Sequence, residues 1–512
     1  MRVFSFFILA IILYSCKEAD DVDFTKPIVS SYCFPSDLNG DIFNNDIHGN
    51  IIGDSIIELW IPSIASNKCF IAQLSFIGDS VLLNSERFIS GKTLHNYSKP
   101  SDLTVYYKDK KTDYRIYVYS YTGLPSIDIY TENGEIIESK DNYIPATFRI
   151  TDNYGLVGQK VVLEANGEIK GRGNATWYTY PRYAYPKKPY RIKLENKYSI
   201  FNNPKDKSYV LLANVIDKTS LRFQTALYMS DISDLEYTPR FAFVDLFLNK
   251  EYVGIYQFGD KLSISKYRVN TGNDGYLLEI DIRAVYENAT CFYVKNLTSP
   301  LADSKIPINI KEPDMDINDD RVNYVRDFCT LADSVLFSEG FKDPIMGWQK
   351  YMDINSFVDW YLINELTRNG DALLYTSCFM SLSQGGKLKM GPIWDFDTAF
   401  GNNNTPTTTP AEGFYIKDAS WFSRLYEDPV FVTKVKERFG YFYNRRNDIY
   451  DYIDAQANYI KYSIDNNQHK WNNLYVQNFS GQQIWGGYFE EVEAMKNWIE
   501  KRFQWFRKEF NK

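Results

Sequence analysis

The sequence predicts an α+β fold in several units, and three observations predict it. Residues 25–140 alternate short β-type runs with turn residues, residues 141–285 repeat that pattern around one helix, and residues 286–512 carry mainly helical periodicity. A chain of 512 residues has room for two to four units at roughly 150 residues each. An apolar content of 44% is ample for their cores.

The first residues read as an address. Met1 and Arg2 precede an apolar stretch from Val3 to Tyr14, too short for a bilayer span of about 20 residues and the right length for a signal-peptide core. Leu13-Tyr14-Ser15-Cys16 closes it and resembles a bacterial lipobox, which makes Cys16 the lipidated residue after cleavage of residues 1–15. Residues 17–24 form an acidic tether, opening Lys17-Glu18-Ala19-Asp20-Asp21. It resembles the export signal that carries Bacteroidetes lipoproteins to the outer face of the outer membrane. The mature chain is therefore expected as a soluble body held on that membrane by a lipid anchor.

Composition narrows the chemistry. The net charge is −8 and there is no basic tract, which argues against nucleic acid as a partner. The three histidines, His48, His95 and His469, are scattered, which makes histidine-based catalysis improbable. Six cysteines leave five once Cys16 is used, and no CxxC spacing suggests a structural zinc site. Cys33 and Cys69 are a candidate pair within the first domain; Cys291, Cys329 and Cys378 have apolar neighbours and read as buried thiols.

Within residues 25–140, Ile56–Ile61, Phe70–Leu74 and Tyr114–Tyr119 read as strands, and Tyr106-Tyr107-Lys108-Asp109-Lys110-Lys111 opens a terminal hairpin. Turn residues at these spacings fit an all-β sandwich of immunoglobulin-like type, a spacer or binding module without a catalytic cluster. In residues 141–285, Ala146–Ile150 and Gln159–Leu163 are strands. Gly171-Arg172-Gly173 follows, where glycines permit close backbone approach and the arginine suits a phosphate. In the strand Tyr190–Leu194, alternation places Arg191 and Lys193 on one face and Ile192 and Leu194 on the other. Asp217 is a plausible N-cap for a helix running to Met229. Two strands, Phe241–Leu248 and Tyr252–Phe258, then turn at Asn249-Lys250-Glu251, and Tyr276–Asp281 adds a third.

The chemistry concentrates further on. Asn369-Gly370-Asp371 and Gly391-Pro392-Ile393-Trp394-Asp395-Phe396-Asp397 place two carboxylates 24 positions apart (395 − 371), with the hairpin-like Gly385-Gly386-Lys387 between them. A carboxylate on a loop and another after a strand can hold an acceptor hydroxyl and a metal ion in phosphoryl transfer. Ile354–Leu366 has a helical core face, Asn402–Pro410 reads as a lid or an idle loop, and Phe489, Val492, Met495, Ile499, Phe503 and Phe506 mark a terminal amphipathic helix.

Taken together, Arg172-Gly173-Asn174-Ala175-Thr176-Trp177, Pro186–Leu194, Val210–Asn214 with Asp217-Lys218 and Leu221-Arg222, Tyr276–Asp281, and Gly391–Asp397 with Phe400-Gly401 resemble the CotH (spore coat protein H) kinase family. The resemblance runs from about residue 145 to 510 and implies an atypical, two-lobed protein-kinase-like domain, with a small lobe at 141–285 and a helical large lobe at 286–512 carrying the metal motif. It implies ATP with Mg²⁺ or Mn²⁺ as cofactors and protein Ser/Thr hydroxyls as acceptors. Asp371 matches the catalytic aspartate and Asp395 the metal-binding aspartate, with Asp397 a second ligand or a support for it. Lys193 is the expected phosphate lysine, and Arg172 and Arg222 are further nucleotide contacts. One departure is Asp260, where the family often has Glu before Lys261. If that carboxylate pairs with a phosphate lysine, its shorter reach weakens turnover. The alternative expectation is therefore a catalytically weak or inactive kinase-like lipoprotein that serves as an adhesion, glycan- or protein-binding module.

Overall fold

The computed structural model describes residues 26–40, 43, 45–62, 68–153, 159–174, 176–177, 187–403, 405–479 and 481–511. The leader, Cys16 and the acidic tether lie outside the described residues, as do Ala175 and Pro186 of the quoted motifs. Two compact units divide the chain, Met1–Tyr121 and Thr122–Lys512.

The first unit is all β among its described residues. A six-stranded sheet is centred on the hairpin of Ser101–Tyr107 and Lys110–Tyr121, and Ile56–Pro62 pairs in parallel with Lys110–Tyr121. A three-stranded sheet is built on Ile28–Phe34, and a two-stranded one joins Cys69–Ile71 to Leu94–Asn96. Strict alternation along Ile56–Pro62 buries Ile57, Leu59 and Ile61, which join Tyr32, Phe34, Phe70, Leu103, Val105 and Ile116 in one core. Cys33 and Cys69, the candidate pair, are both free thiols. The other free cysteines are Cys291, Cys329 and Cys378, of which Cys329 and Cys378 are buried and Cys291 is half-buried. Alkylation after unfolding without reductant is expected to label all five; a mass short of that by two labels would show a disulfide.

The boundary near residue 140 is also displaced. Strand Ser126–Thr131 belongs to the second unit, because it pairs with Ile144–Asn153 on one side and, in parallel, with Phe241–Leu248 on the other. That parallel pairing closes a seven-stranded barrel in the order 126–131, 144–153, 159–171, 190–198, 206–212, 251–260, 241–248. Closure removes exposed sheet edges, and the inward residues Ile129, Phe148, Ile150, Ile169, Ile192, Leu194, Leu246 and Tyr256 fill the interior. The helix after Asp217 is α1, Arg222–Asp231.

Strand Tyr276–Ile280, expected with the small lobe, instead lies at the centre of a second, five-stranded sheet. It pairs with Ile308–Glu312 and with Cys378–Leu382, and Cys378–Leu382 pairs with Leu388–Met390 across the Gly385-Gly386 turn. All five of its residues are buried. Six helices complete the unit: α2 Asp320–Leu336, α3 Ile354–Thr367, α4 Ser420–Leu425, α5 Pro429–Asn444, α6 Arg446–Trp471 and α7 Tyr488–Phe510. α3 is buried from Ser356 to Thr367, so it is the central post, with Trp360 stacked on Phe422 at 5.5 Å. α7 buries Val492, Met495, Ile499, Phe503 and Phe506 as its periodicity predicts, but Phe489 is exposed. Among the described residues no helix is long and apolar enough to cross a membrane.

Candidate active site

The two carboxylate motifs meet where α3 ends. α3 stops at Arg368, whose φ of 49° turns the chain out of the helix. Asn369 then caps a short 3-10 turn: its side chain accepts a hydrogen bond from the Asp371 amide at 3.3 Å, and its amide donates to Asn364 Oδ1 at 3.1 Å. Tyr415 O–H donates to the Gly370 carbonyl at 3.0 Å, which fixes the turn from the other side. Asp371 is therefore held by backbone geometry at the end of a buried helix.

Asp395 arrives from the sheet. After Leu388–Met390 the chain buries Ile393, Phe396, Ala399 and Phe400, leaving Trp394, Asp395, Asp397 and Thr398 part-exposed. The apolar residues anchor the segment and present the polar ones. Asp395 sits at φ 65°, a left-handed conformation uncommon for a non-glycine residue and frequent at functional sites. Ser377 Oγ lies 3.4 Å from Asp395 Oδ2, while the preceding Thr376 Oγ1 donates to Asp281 Oδ1 at 3.0 Å. Asp281 in turn clamps Arg283 through Nε at 2.9 and 3.2 Å and Nη2 at 3.0 Å.

These groups act on one another electrostatically. Burial and the charge of Asp395 push Asp371 up to about 7, against the pull of Arg283. Burial and the charges of Asp395, Asp371 and Asp217 also raise Asp397 well above the ordinary carboxylate range. Carboxylates raised by one another are what a cation would relieve. Among the described residues no group of three or more His, Cys, Asp or Glu is gathered as a ready metal cage. The donor set nevertheless fits Mg²⁺, a hard cation usually held by one or two carboxylates, with phosphate oxygens and waters completing its octahedron.

The expected nucleotide contacts separate into three cases. Arg172 is at the site. Half-buried, its guanidinium lies 5.7 Å from the Trp394 ring centroid, is lowered to about 10 by loss of solvent, and feels the charge of Asp395. Arg222 is behind the site. It bonds Asp217 and donates to the Ala399 carbonyl at 3.1 Å, so it supports the metal motif from inside the core. Lys193 is not at the site. It points from the outer face of the barrel, ion-paired to Glu168 at 2.7 Å with 45% of its side chain exposed. Period-two alternation located its face correctly, but that face is solvent.

Asp260 pairs with no lysine either. It accepts from Tyr237 at 2.8 Å and pairs with Arg240 at 2.9 Å and Arg268 at 3.2 Å, while Lys261 pairs with Glu312 at 2.7 Å. Its shorter reach is thus used in an arginine network. The described residues of the Asn402–Pro410 segment are tied down at several points. Asn402 donates to the Asp397 carbonyl at 2.6 Å, Arg368 to Thr407 at 2.5 Å, and Trp498 to Thr409 at 2.8 Å. Sequence reading missed Arg283, Thr376, Ser377 and Tyr415. Only Arg283 carried a signal, standing two residues beyond the Tyr276–Asp281 motif.

Comparison with known proteins gives a family and little else. A family model described as CotH kinase protein matches residues 169–506. Among solved structures, the crystal structure of "a putative glycoside hydrolase" from Bacteroides thetaiotaomicron is similar at 10% identity and a TM-score of 0.18, covering 56% of this chain and 68% of that one. No curated protein matches.

Proposed function

Because the chain belongs to the CotH kinase protein family, we propose that it is an atypical, two-lobed protein kinase transferring the γ-phosphoryl group of ATP to protein Ser/Thr hydroxyls. The observation that carries this is the juxtaposition of Asp371 and Asp395, close enough for the charge of Asp395 to raise Asp371. In this reading Asp371 orients the acceptor hydroxyl and accepts its proton, since a carboxylate raised to about 7 is matched to proton transfer near neutral pH. Asp395 and Asp397 would hold Mg²⁺ or Mn²⁺, which when bound supplies charge neutralisation for the phosphates. Arg172 faces the phosphates from the barrel side, and Arg222 keeps the Ala399 turn, and with it the metal motif, in place.

The remaining assignments are proposals of the same kind. The barrel serves as the small lobe and the helical part as the large lobe. The first unit is an immunoglobulin-like sandwich that spaces this body from an outer-membrane anchor at Cys16. The second reading, a nucleotide-inert surface module that binds protein or glycan, is favoured by one observation: Lys193 faces solvent.

Thermal melting and labelled-phosphate transfer by the chain lacking residues 1–16 separate the two. Mg-ATP at 100 times its Kd is expected to stabilise the protein by about 2.7 kcal/mol, and transfer is expected to vanish in Asp371→Asn and Asp395→Asn. No stabilisation and no transfer in wild type would leave the second reading standing.

A further inference from the structure

We infer that Arg172, Arg191 and Arg283 form a three-arginine seat for the phosphate chain of a nucleotide, with Arg283 at the terminal phosphoryl group. The inference rests on the phosphotransferase reading above and assigns it two residues that the sequence did not single out for that role.

Two of the three guanidinium groups lack what buried cations normally have. The Arg172 guanidinium makes no hydrogen bond and no ion pair among the described residues; the side chain is half-buried, its contact is the Trp394 ring, and only its backbone amide is bonded, to the Pro189 carbonyl at 3.1 Å. Arg191, on the strand Tyr190–Tyr198, has its Nε buried without a partner and the Tyr143 ring 5.9 Å away. The positive charges of Arg172 and Arg191 also act against each other. Two half-buried guanidinium groups without a counter-charge, one of them with its Nε fully buried, are relieved by an anion. Among the described residues the carboxylate whose charge acts on Arg172 is Asp395, the residue proposed to hold the metal.

Arg283 is held differently. Asp281, itself buried, takes its Nε and Nη2, and Thr376 and the Arg283 amide also donate to Asp281. That clamp fixes the guanidinium while Nη1 makes no hydrogen bond to the described residues. Thr376 bonds Asp281 and its neighbour Ser377 approaches Asp395, so a two-residue step links the clamp to the metal aspartate. The charge of Arg283 acts on both Asp371 and Asp395. A fixed cation within electrostatic reach of the aspartate that orients the acceptor, and linked through Thr376 and Ser377 to the one that holds the metal, is suited to charge that develops on the transferring group. Preorganised donors there stabilise the transition state.

Calorimetric titration tests the seat, using Mg-ATP, Mg-ADP, tripolyphosphate and adenosine against wild type, Arg191→Gln, Arg191→Lys, Arg283→Gln and Arg283→Lys. Arg191→Gln is expected to weaken ATP, ADP and tripolyphosphate alike by about tenfold, as loss of a charge-assisted bond predicts, and to leave adenosine unchanged. Arg283→Gln is expected to weaken ATP about tenfold and ADP less than twofold, with Arg283→Lys in between and melting as wild type. Wild-type binding of ATP with every variant within twofold would overturn the seat and leave the kinase reading intact. Wild-type binding of tripolyphosphate without ATP-dependent transfer would keep the seat and remove the kinase reading.

Discussion

Asp371→Asn is expected to lose phosphoryl transfer by between about 10² and 10⁴-fold, the range for a general base, and yet to melt above wild type at pH 8 in metal-free buffer. The two effects share one cause. Folding carries Asp371 into a partly enclosed site beside Asp395 and raises it from the ordinary carboxylate range to about 7. A carboxyl raised on folding contributes stability that is fully present below its unfolded value and is lost as pH rises through its folded value. Between about pH 4 and pH 7 the wild-type protein therefore pays a growing cost that an amide does not carry. Each unit is worth about 1.4 kcal/mol, and with part of the side chain in solvent the net gain for the asparagine variant is about 2 kcal/mol at pH 8. Urea unfolding at pH 5 and pH 8 reads it directly. The gap between variant and wild type is expected to widen with pH and to narrow when Mg²⁺ and ATP are added to wild type. A gap that is flat from pH 5 to pH 8, or reversed, would show that Asp371 does not carry the charge conflict and would remove it as the base.

The same reasoning shows why the site was partly legible. Asp371, Asp395 and Asp397 stood out because an acidic residue at the end of an apolar run has few structural uses. Arg172 stood out because its flanking glycines promised close approach. Lys193 failed for a reason that periodicity cannot resolve. Alternation separates the two faces of a strand but does not say which outward positions are covered, and here Arg191 has its Nε buried while Lys193 pairs with Glu168 in solvent. The barrel was invisible for a related reason. Closure depends on the parallel pairing of Ser126–Thr131 with Phe241–Leu248, more than a hundred residues on, and nothing local in either strand announces its partner. Tyr276–Ile280 was read correctly as a strand yet placed in the wrong sheet, since its partners Cys378–Leu382 and Ile308–Glu312 come later in the chain. Helices were easier because their partners are the core as a whole; α7 followed its apolar spacing except at Phe489, while α3, read as having one core face, is buried all round.

Arg502→Met is expected to destabilise the second unit by about 3–5 kcal/mol, the cost of breaking a buried ion pair from one side. Arg502 and Glu365 are both fully buried, 2.7 Å apart. Arg502 also donates to the carbonyls of Glu365, Ala411 and Gly413, the first at 2.7 Å, the second at 2.9 Å and the third at 2.6 Å. Glu365 keeps two amide donors, Tyr415 N at 2.8 Å and Lys417 N at 3.0 Å, so its charge stays in place and loses its counter-charge. Methionine fills the aliphatic volume and supplies no donor, leaving one carboxylate and three carbonyls to share fewer partners. Pairing the change with Glu365→Gln removes the stranded charge, so the double variant is expected to lose less than the sum of the two single losses. The consequence reaches the chemistry through Tyr415. Its amide is held by Glu365 while its hydroxyl holds the Gly370 carbonyl, one residue from Asp371. Arg502→Met is thus expected to lower kcat with little change in the KM for ATP, because Arg172 and Asp395 are untouched. Urea denaturation of the single and double variants checks the stability claim. A loss under 1 kcal/mol would show that the pair's attraction only balances its desolvation, and a fall in ATP affinity without a fall in kcat would separate the network from Asp371.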